Sequence, residues 1–119
     1  MTRTTDAVGA YGERVAVRYL VDQGMVLLDR NWRCALGELD AVFRQGETVV
    51  FVEVKTRRGG RFGPPVEAIV PTKVTRLRRL ATLWLAQSRV RPRQVRFDVV
   101  SVLAHQAGPA TVEHVQGAF

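Results

Sequence analysis

The run Thr48-Val49-Val50-Phe51-Val52-Glu53-Val54-Lys55-Thr56-Arg57 constrains this chain more than any other segment. Its β-branched and aromatic residues suit a pleated, packed surface. Side chains alternate faces along a strand. Val49, Phe51, Glu53, Lys55 and Arg57 therefore share one face, and Val50, Val52 and Val54 share the other. Both faces begin apolar, which is the pattern of a strand covered on both sides, so the run is expected near the centre of a sheet. Glu53 and Lys55 then point the same way from the inner part of that sheet. Isolated charges in such a place are costly unless they are paired or bind a metal.

The preceding segment supplies a partner strand. Glu38 to Arg44 reads as a strand and Gln45-Gly46-Glu47 as a short turn, so the two strands are expected to pair as an antiparallel hairpin. Counting from the turn centre near Glu47, seven residues back reach Asp40, and about seven forward reach Glu53 or Val54. That register sets Asp40 close to opposite Glu53. Cross-strand neighbours have Cβ atoms about 4.5–5.5 Å apart, near enough for two carboxylates to hold one Mg²⁺. Two carboxylates and a lysine gathered this way are the parts needed for metal-assisted phosphodiester hydrolysis.

Helical periodicity flanks the hairpin. Asp6 is placed to cap a helix from about Ala7 to Gln23, with Val8, Gly12, Val15, Ala16, Tyr19 and Leu20 as its apolar stripe and Gly24 as its stop. Glu13 falls within the small and apolar sector of this helix, beside Gly9, Ala16, Val17 and Leu20. It is a candidate third acid aimed at the sheet, with Gly9 and Gly12 giving close access. Glu38 shares a strand face with Asp40 and is a candidate fourth acid, or simply the end of a loop. Met25 to Arg30 reads as a strand, and Asn31 to Gly37 as a connection containing Trp32. A second helix is expected over Pro71 to Ser88, with Val74, Leu77, Leu80, Ala81, Trp84 and Leu85 as its stripe. Val95 to Leu103 reads as a strand and Thr111 to Val115 as a short edge strand. The order α-β-β-β-α-β-(β) argues for one mixed sheet flanked by helices. At 119 residues a single domain is expected, with a core over about 7–103 and a tail or edge strand over 104–119.

The charge balance points to a partner. Eighteen Lys+Arg against eleven Asp+Glu give a net charge of +7. Lys55 and Lys73 are the only lysines. Arginine binds phosphate through a planar fork, so an arginine-rich surface suits nucleic acid. Arg57, Arg58 and Arg61 follow the central strand into a Gly/Pro/Arg loop and are candidates to clamp flanking phosphates, the plain alternative being a solvated turn. Lys73, Arg76, Arg78 and Arg79 give the second helix a basic face, which solvation alone also explains. Trp84 fits the core better than a base-stacking platform. His105 and His114 stand in a weakly patterned tail with no neighbouring ligand motif and read as incidental. Cys34 is the only cysteine, which excludes an intramolecular disulfide or a Cys-based zinc site and fits a reducing cytoplasm. The N-terminus lacks an apolar signal core, and apolar runs such as Val49 to Val52 are far too short to span a bilayer. A cytoplasmic protein with no membrane partner is expected.

A longer ordered set of residues carries a family resemblance. Gly9-x-x-Gly12-Glu13-x-x-Ala16, Asn31-Trp32-Arg33, Gly37-Glu38-Leu39-Asp40, Phe51 to Arg57, Phe62-Gly63, Glu67-Ala68, Lys73 and Arg96-Phe97-Asp98-Val99-Val100 occur in that order. This set resembles the YraN-like (UPF0102) family of small bacterial proteins over about Val8 to Val102. That family is similar to archaeal Holliday-junction resolvases of the restriction-endonuclease-like PD-(D/E)xK superfamily. The resemblance implies an α/β fold with an αβββαβ core, a mixed central sheet flanked by helices. It implies that Asp40, Glu53 and Lys55 stand at the catalytic positions, and Glu13 at the helical acid of the resolvase branch. Asp40, Glu53 and the backbone carbonyl of Val54 would hold Mg²⁺ or Mn²⁺, with Glu13 completing the shell directly or through water. Leu39 stands where the superfamily pattern has proline before the acid. The implied activity is metal-dependent endonucleolytic cleavage of DNA, including branched or structured DNA. The alternative is a nucleic-acid-binding module of the same fold without turnover. A third class, an RNA- or protein-binding adaptor, leaves the buried acids unexplained. Resolvases that cut two symmetric strands act as dimers, so a homodimer is a further expectation.

Overall fold

The computed structural model describes residues 4–59 and 70–119, with side chains from Ala7 onward. The elements run α1 (Thr4–Asp22), β1 (Val26–Cys34), β2 (Gly37–Gln45), β3 (Thr48–Arg58), α2 (Pro71–Gln87), β4 (Gln94–Ala104) and β5 (Thr111–Val115). They build one five-stranded sheet in the order β1-β2-β3-β4-β5. Every neighbouring pair is antiparallel except β3 and β4, which run parallel and lie on either side of α2 in the chain. This is a mixed α/β sheet flanked by two helices, consistent with a restriction-endonuclease-like αβββαβ core, with β5 added at one edge.

The packing follows from the alternation along β3. Val50 and Val52 join Ala16 and Leu20 of α1 in one buried cluster, while Val49 and Phe51 join Leu77, Leu80, Ala81 and Trp84 of α2 in the other. The helices thus cover opposite faces, and β3 is the central strand. Gly24, at φ +96, ends α1 in the left-handed conformation that glycine adopts without steric cost. Pro71 opens α2, where its missing N–H costs nothing. Trp84 is core, as expected, and its indole N–H donates to Asp29 Oδ2 at 2.9 Å.

Two local expectations need correction. Asp6 does not cap α1, which already begins at Thr4. The segment after Arg30 is not a connection, because β1 continues through Trp32 to Cys34. The cause is Asn31 at φ 49, together with a register shift between Leu27 and Asp29. Asparagine tolerates the left-handed region better than most residues. A residue type that reads as a turn signal therefore kinks a strand here instead of ending it.

A second polar group sits within the sheet. Asp98 of β4 is fully buried, and both of its oxygens are filled. Arg96 donates to it through Nε at 2.8 Å and through a terminal nitrogen at 2.9 Å. His114 Nε2 of β5 lies 2.7 Å from Oδ2, and the Gly117 N–H donates to Oδ1 at 3.0 Å. His114 is therefore not incidental: it helps tie the edge strand to a buried acid.

Candidate functional site

The β2–β3 ladder runs from Gln45↔Thr48 to Ala41↔Val52. One further step in that register sets Asp40 opposite Glu53, as the hairpin count expects. There the ladder gives way to a side chain, and the Val54 N–H donates to Asp40 Oδ2 at 2.8 Å. A cavity opens at this point, lined by Gly9 and Glu13 of α1, Asp40 of β2, and Glu53, Lys55 and Arg58 of β3.

Close approach of α1 brings Glu13 in. A Cβ on Gly12 would lie 1.8 Å from Thr56 Oγ1, so only glycine lets the helix sit this near β3. Gly9 is different, because a Cβ there would meet nothing within 4 Å. Its expected role in close access is not needed. Glu13 Oε1 accepts from Asn31 Nδ2 at 2.8 Å, and the same amide donates to Glu38 Oε2 at 3.3 Å. Glu38 also pairs with Arg33 at 3.4 Å and does not line the cavity. The kink at Asn31 therefore orients one acid of the site and ties it to a second acid outside.

Glu53 collects both lysines of the chain. Its Oε2 pairs with Lys55 Nζ at 3.3 Å and more closely with Lys73 Nζ from the first turn of α2. The sequence places Lys73 on a basic helix face with Arg76 and Arg78, yet the structure brings it into the carboxylate cluster. A signal for this was present: Lys73 stands four residues before Leu77 and seven before Leu80, on the buried stripe. The expected single basic face divides. A Cβ on Gly37 would lie 3.7 Å from Arg76 Cδ, which places Arg76 at the β1–β2 turn. The Arg78 guanidinium lies 5.0 Å above the Phe97 ring. Arg57 and Arg58 are exposed at the end of β3, and Arg58 alone of the two lines the cavity. Arg61, Phe62-Gly63 and Glu67-Ala68 lie outside the described residues.

The charges do not balance evenly across the cluster. Burial, then the charge of Glu53, then that of Glu13, push the Asp40 carboxyl up to about 8. Burial also works against ionised Glu53, but Lys73 and Lys55 outweigh it and hold Glu53 below the usual carboxylate range. The Asp40–Glu53 pair thus holds on to one proton at neutral pH. Lys55 is pushed down by its burial and by the neighbouring Lys73. Lys73 is also opposed by burial, yet Glu53 raises it above the ordinary lysine value.

This donor set fits a hard divalent cation. Mg²⁺ is commonly held by one or two carboxylates, with waters and substrate phosphates in its other positions. Asp40 and Glu53 supply two such carboxylates. Among the described residues no group of three or more His, Cys, Asp or Glu side chains forms a metal cage. An all-protein cage of the zinc type does not match these residues. An open pair of acids beside lysines can hold a cation and a phosphate side by side.

Comparison with known proteins gives a consistent assignment. Residues 12–102 match the model of a family described as "Uncharacterised protein family UPF0102". A UPF0102 protein of Beutenbergia cavernae is 57% identical over 115 residues, covering 97% of this chain and 98% of the relative. One from Kineococcus radiotolerans is 56% identical over 116 residues, with 97% and 95% covered. One from Frankia alni is 55% identical over 117 residues, with 98% of each chain covered.

Proposed function

The chain belongs to the UPF0102 family, and we propose that it is a metal-dependent endonuclease hydrolysing phosphodiester bonds in DNA, branched or structured DNA included. One observation carries this reading: Asp40 and Glu53 meet across neighbouring strands, with Lys55 beside them, in a cavity that also receives Glu13 and Arg58. The likeness of these positions to the PD-(D/E)xK pattern and to the resolvases supports it.

In this reading Asp40, Glu53 and the Val54 carbonyl would hold Mg²⁺ or Mn²⁺, with Glu13 completing the shell directly or through water. A divalent ion bound there supplies Lewis-acid polarisation of the scissile phosphate and a more acidic water. Lys55 would orient that water or help deprotonate it. Its ammonium would also face the negative charge that develops on the phosphate. Arg57 and Arg58 hold the neighbouring phosphates and fix the strand's position without reading its bases. A cytoplasmic location fits this reading. Cutting two symmetric strands would require a homodimer.

Among the described residues no helix is long and apolar enough to cross a membrane. A second reading, a nucleic-acid-binding module without turnover, is favoured by the tight Lys73–Glu53 pair, which occupies one of the two acids. A cleavage panel of duplex, flap, fork and four-way junction DNA with Mn²⁺ or Mg²⁺ separates the two. Cutting by the wild type, abolished in Asp40→Ala, Glu53→Ala and Lys55→Ala while binding persists, supports the nuclease. Binding without cutting on every substrate supports the module, and equal cutting by all three variants refutes the site.

A further inference from the structure

The only two lysines of this chain converge on one oxygen of Glu53, all other basic residues being arginine. Their attachments differ. Lys55 lies two residues from Glu53 on the same strand face, so the backbone of β3 dictates that pair. Lys73 comes from α2, the helix that connects the parallel strands β3 and β4. It sits in the first turn of a helix, where a cation opposes the macrodipole. That turn contains no acid, and Val70 before it makes no side-chain cap bond. Nothing within α2 compensates the ammonium at this end, whereas Glu53 across the interface does. Lys73 makes the tighter of the two ion pairs and is itself only 21% exposed.

We propose that Lys73 is the built-in counter-cation of the cluster: it holds Glu53 Oε2 in the metal-free protein and must yield that oxygen when a divalent ion enters. The inference rests on the reading of Asp40 and Glu53 as a divalent-cation site. It adds that uptake of the ion is a competition with an ammonium of the chain, so Lys73 sets the affinity. A site of this kind stays charge-balanced when empty and takes up its ion against an internal competitor. Lys73 acts through Glu53 and is a positioning residue.

The test is Mn²⁺ affinity, measured by electron paramagnetic resonance and calorimetry without substrate. It compares wild type with Lys73→Met, Lys73→Gln, Lys73→Arg and Glu53→Gln, each checked for a cooperative melting transition. Removing the competing charge in Lys73→Met or Lys73→Gln is expected to tighten Mn²⁺ binding on the order of tenfold. Lys73→Arg keeps the charge and is expected to bind no tighter than wild type. Either neutral variant suffices if the other fails to fold. Binding by the folded neutral variants that equals or falls below wild type overturns the counter-cation role. If wild type then still binds Mn²⁺ and Glu53→Gln loses it, the metal-site reading survives that failure. A wild type that binds no Mn²⁺ overturns both.

Discussion

Two acids are sunk into the same sheet, and they are treated in opposite ways. Asp98 is fully buried and satisfied, with two donors on each oxygen and its carboxyl held below the usual range. Burial works against its charge, but His114, Arg96 and the Gly117 N–H outweigh that. Asp40 has one backbone donor and two acidic neighbours, and it is pushed the other way, to about 8. A buried acid surrounded by donors is a fastener. A half-buried acid facing other acids beside an open cavity is left without that balance. The difference lies in the neighbours and not in depth, since Asp98 is the deeper of the two.

The largest expected effect lies at the fastener. Asp98→Ala leaves Arg96 and His114 without their buried partner and should cost about 3–5 kcal/mol of unfolding free energy in denaturant titrations. A loss under about 1 kcal/mol would show that the network contributes little.

Asp40→Asn should move stability in the opposite direction. Burial and its acidic neighbours push the folded carboxyl up to about 8 from an ordinary value of 3.8, so between those values the folded state binds a proton that the unfolded chain has lost. Stability of the metal-free protein therefore falls as pH rises through that window, and asparagine removes the loss. The variant should be the more stable of the two at pH 8, with the gap closing near pH 4. Asp98 carries the reverse sign. Its contribution is fully present above its unfolded pKa and is lost as pH falls through the lower folded value. A gap for Asp40→Asn that widens toward acid pH would contradict the contrast drawn here.

The smallest effect is at the cavity rim. Arg58→Ala should leave the fold intact, weaken DNA binding a few-fold, and reduce the slope of log affinity against log salt by about one. An unchanged slope would remove Arg58 from the phosphate path.

The carboxylate half of the candidate site was legible because it is local. Asp40 and Glu53 are joined by a short turn and two apolar strands, and those features fix the register by counting. Glu13 was legible from helical phase alone. Lys73 was not brought to the site, because its place depends on how the crossover helix α2 docks on the sheet, although its spacing to Leu77 pointed inward. His114 was missed for a similar reason: its partner Asp98 lies on β4, and nothing local in the tail announces that pairing. Asn31 was misread because its residue type signals a turn in most settings, and only the paired β2 shows that the strand continues. Gly12 and Gly9 look alike in sequence, yet only Gly12 faces a wall, Thr56.

The central claim is that the unbalanced acid cluster turns over DNA with a divalent ion. Its most direct test is single-turnover cleavage of a labelled four-way junction or flap in Mg²⁺ or Mn²⁺, comparing wild type with Lys55→Ala. The account predicts metal-dependent cutting by wild type that is lost on chelation, and at least a hundredfold slower cutting by Lys55→Ala at undiminished binding. Cutting by Lys55→Ala at the wild-type rate, or cutting by wild type that persists without any divalent ion, would contradict it.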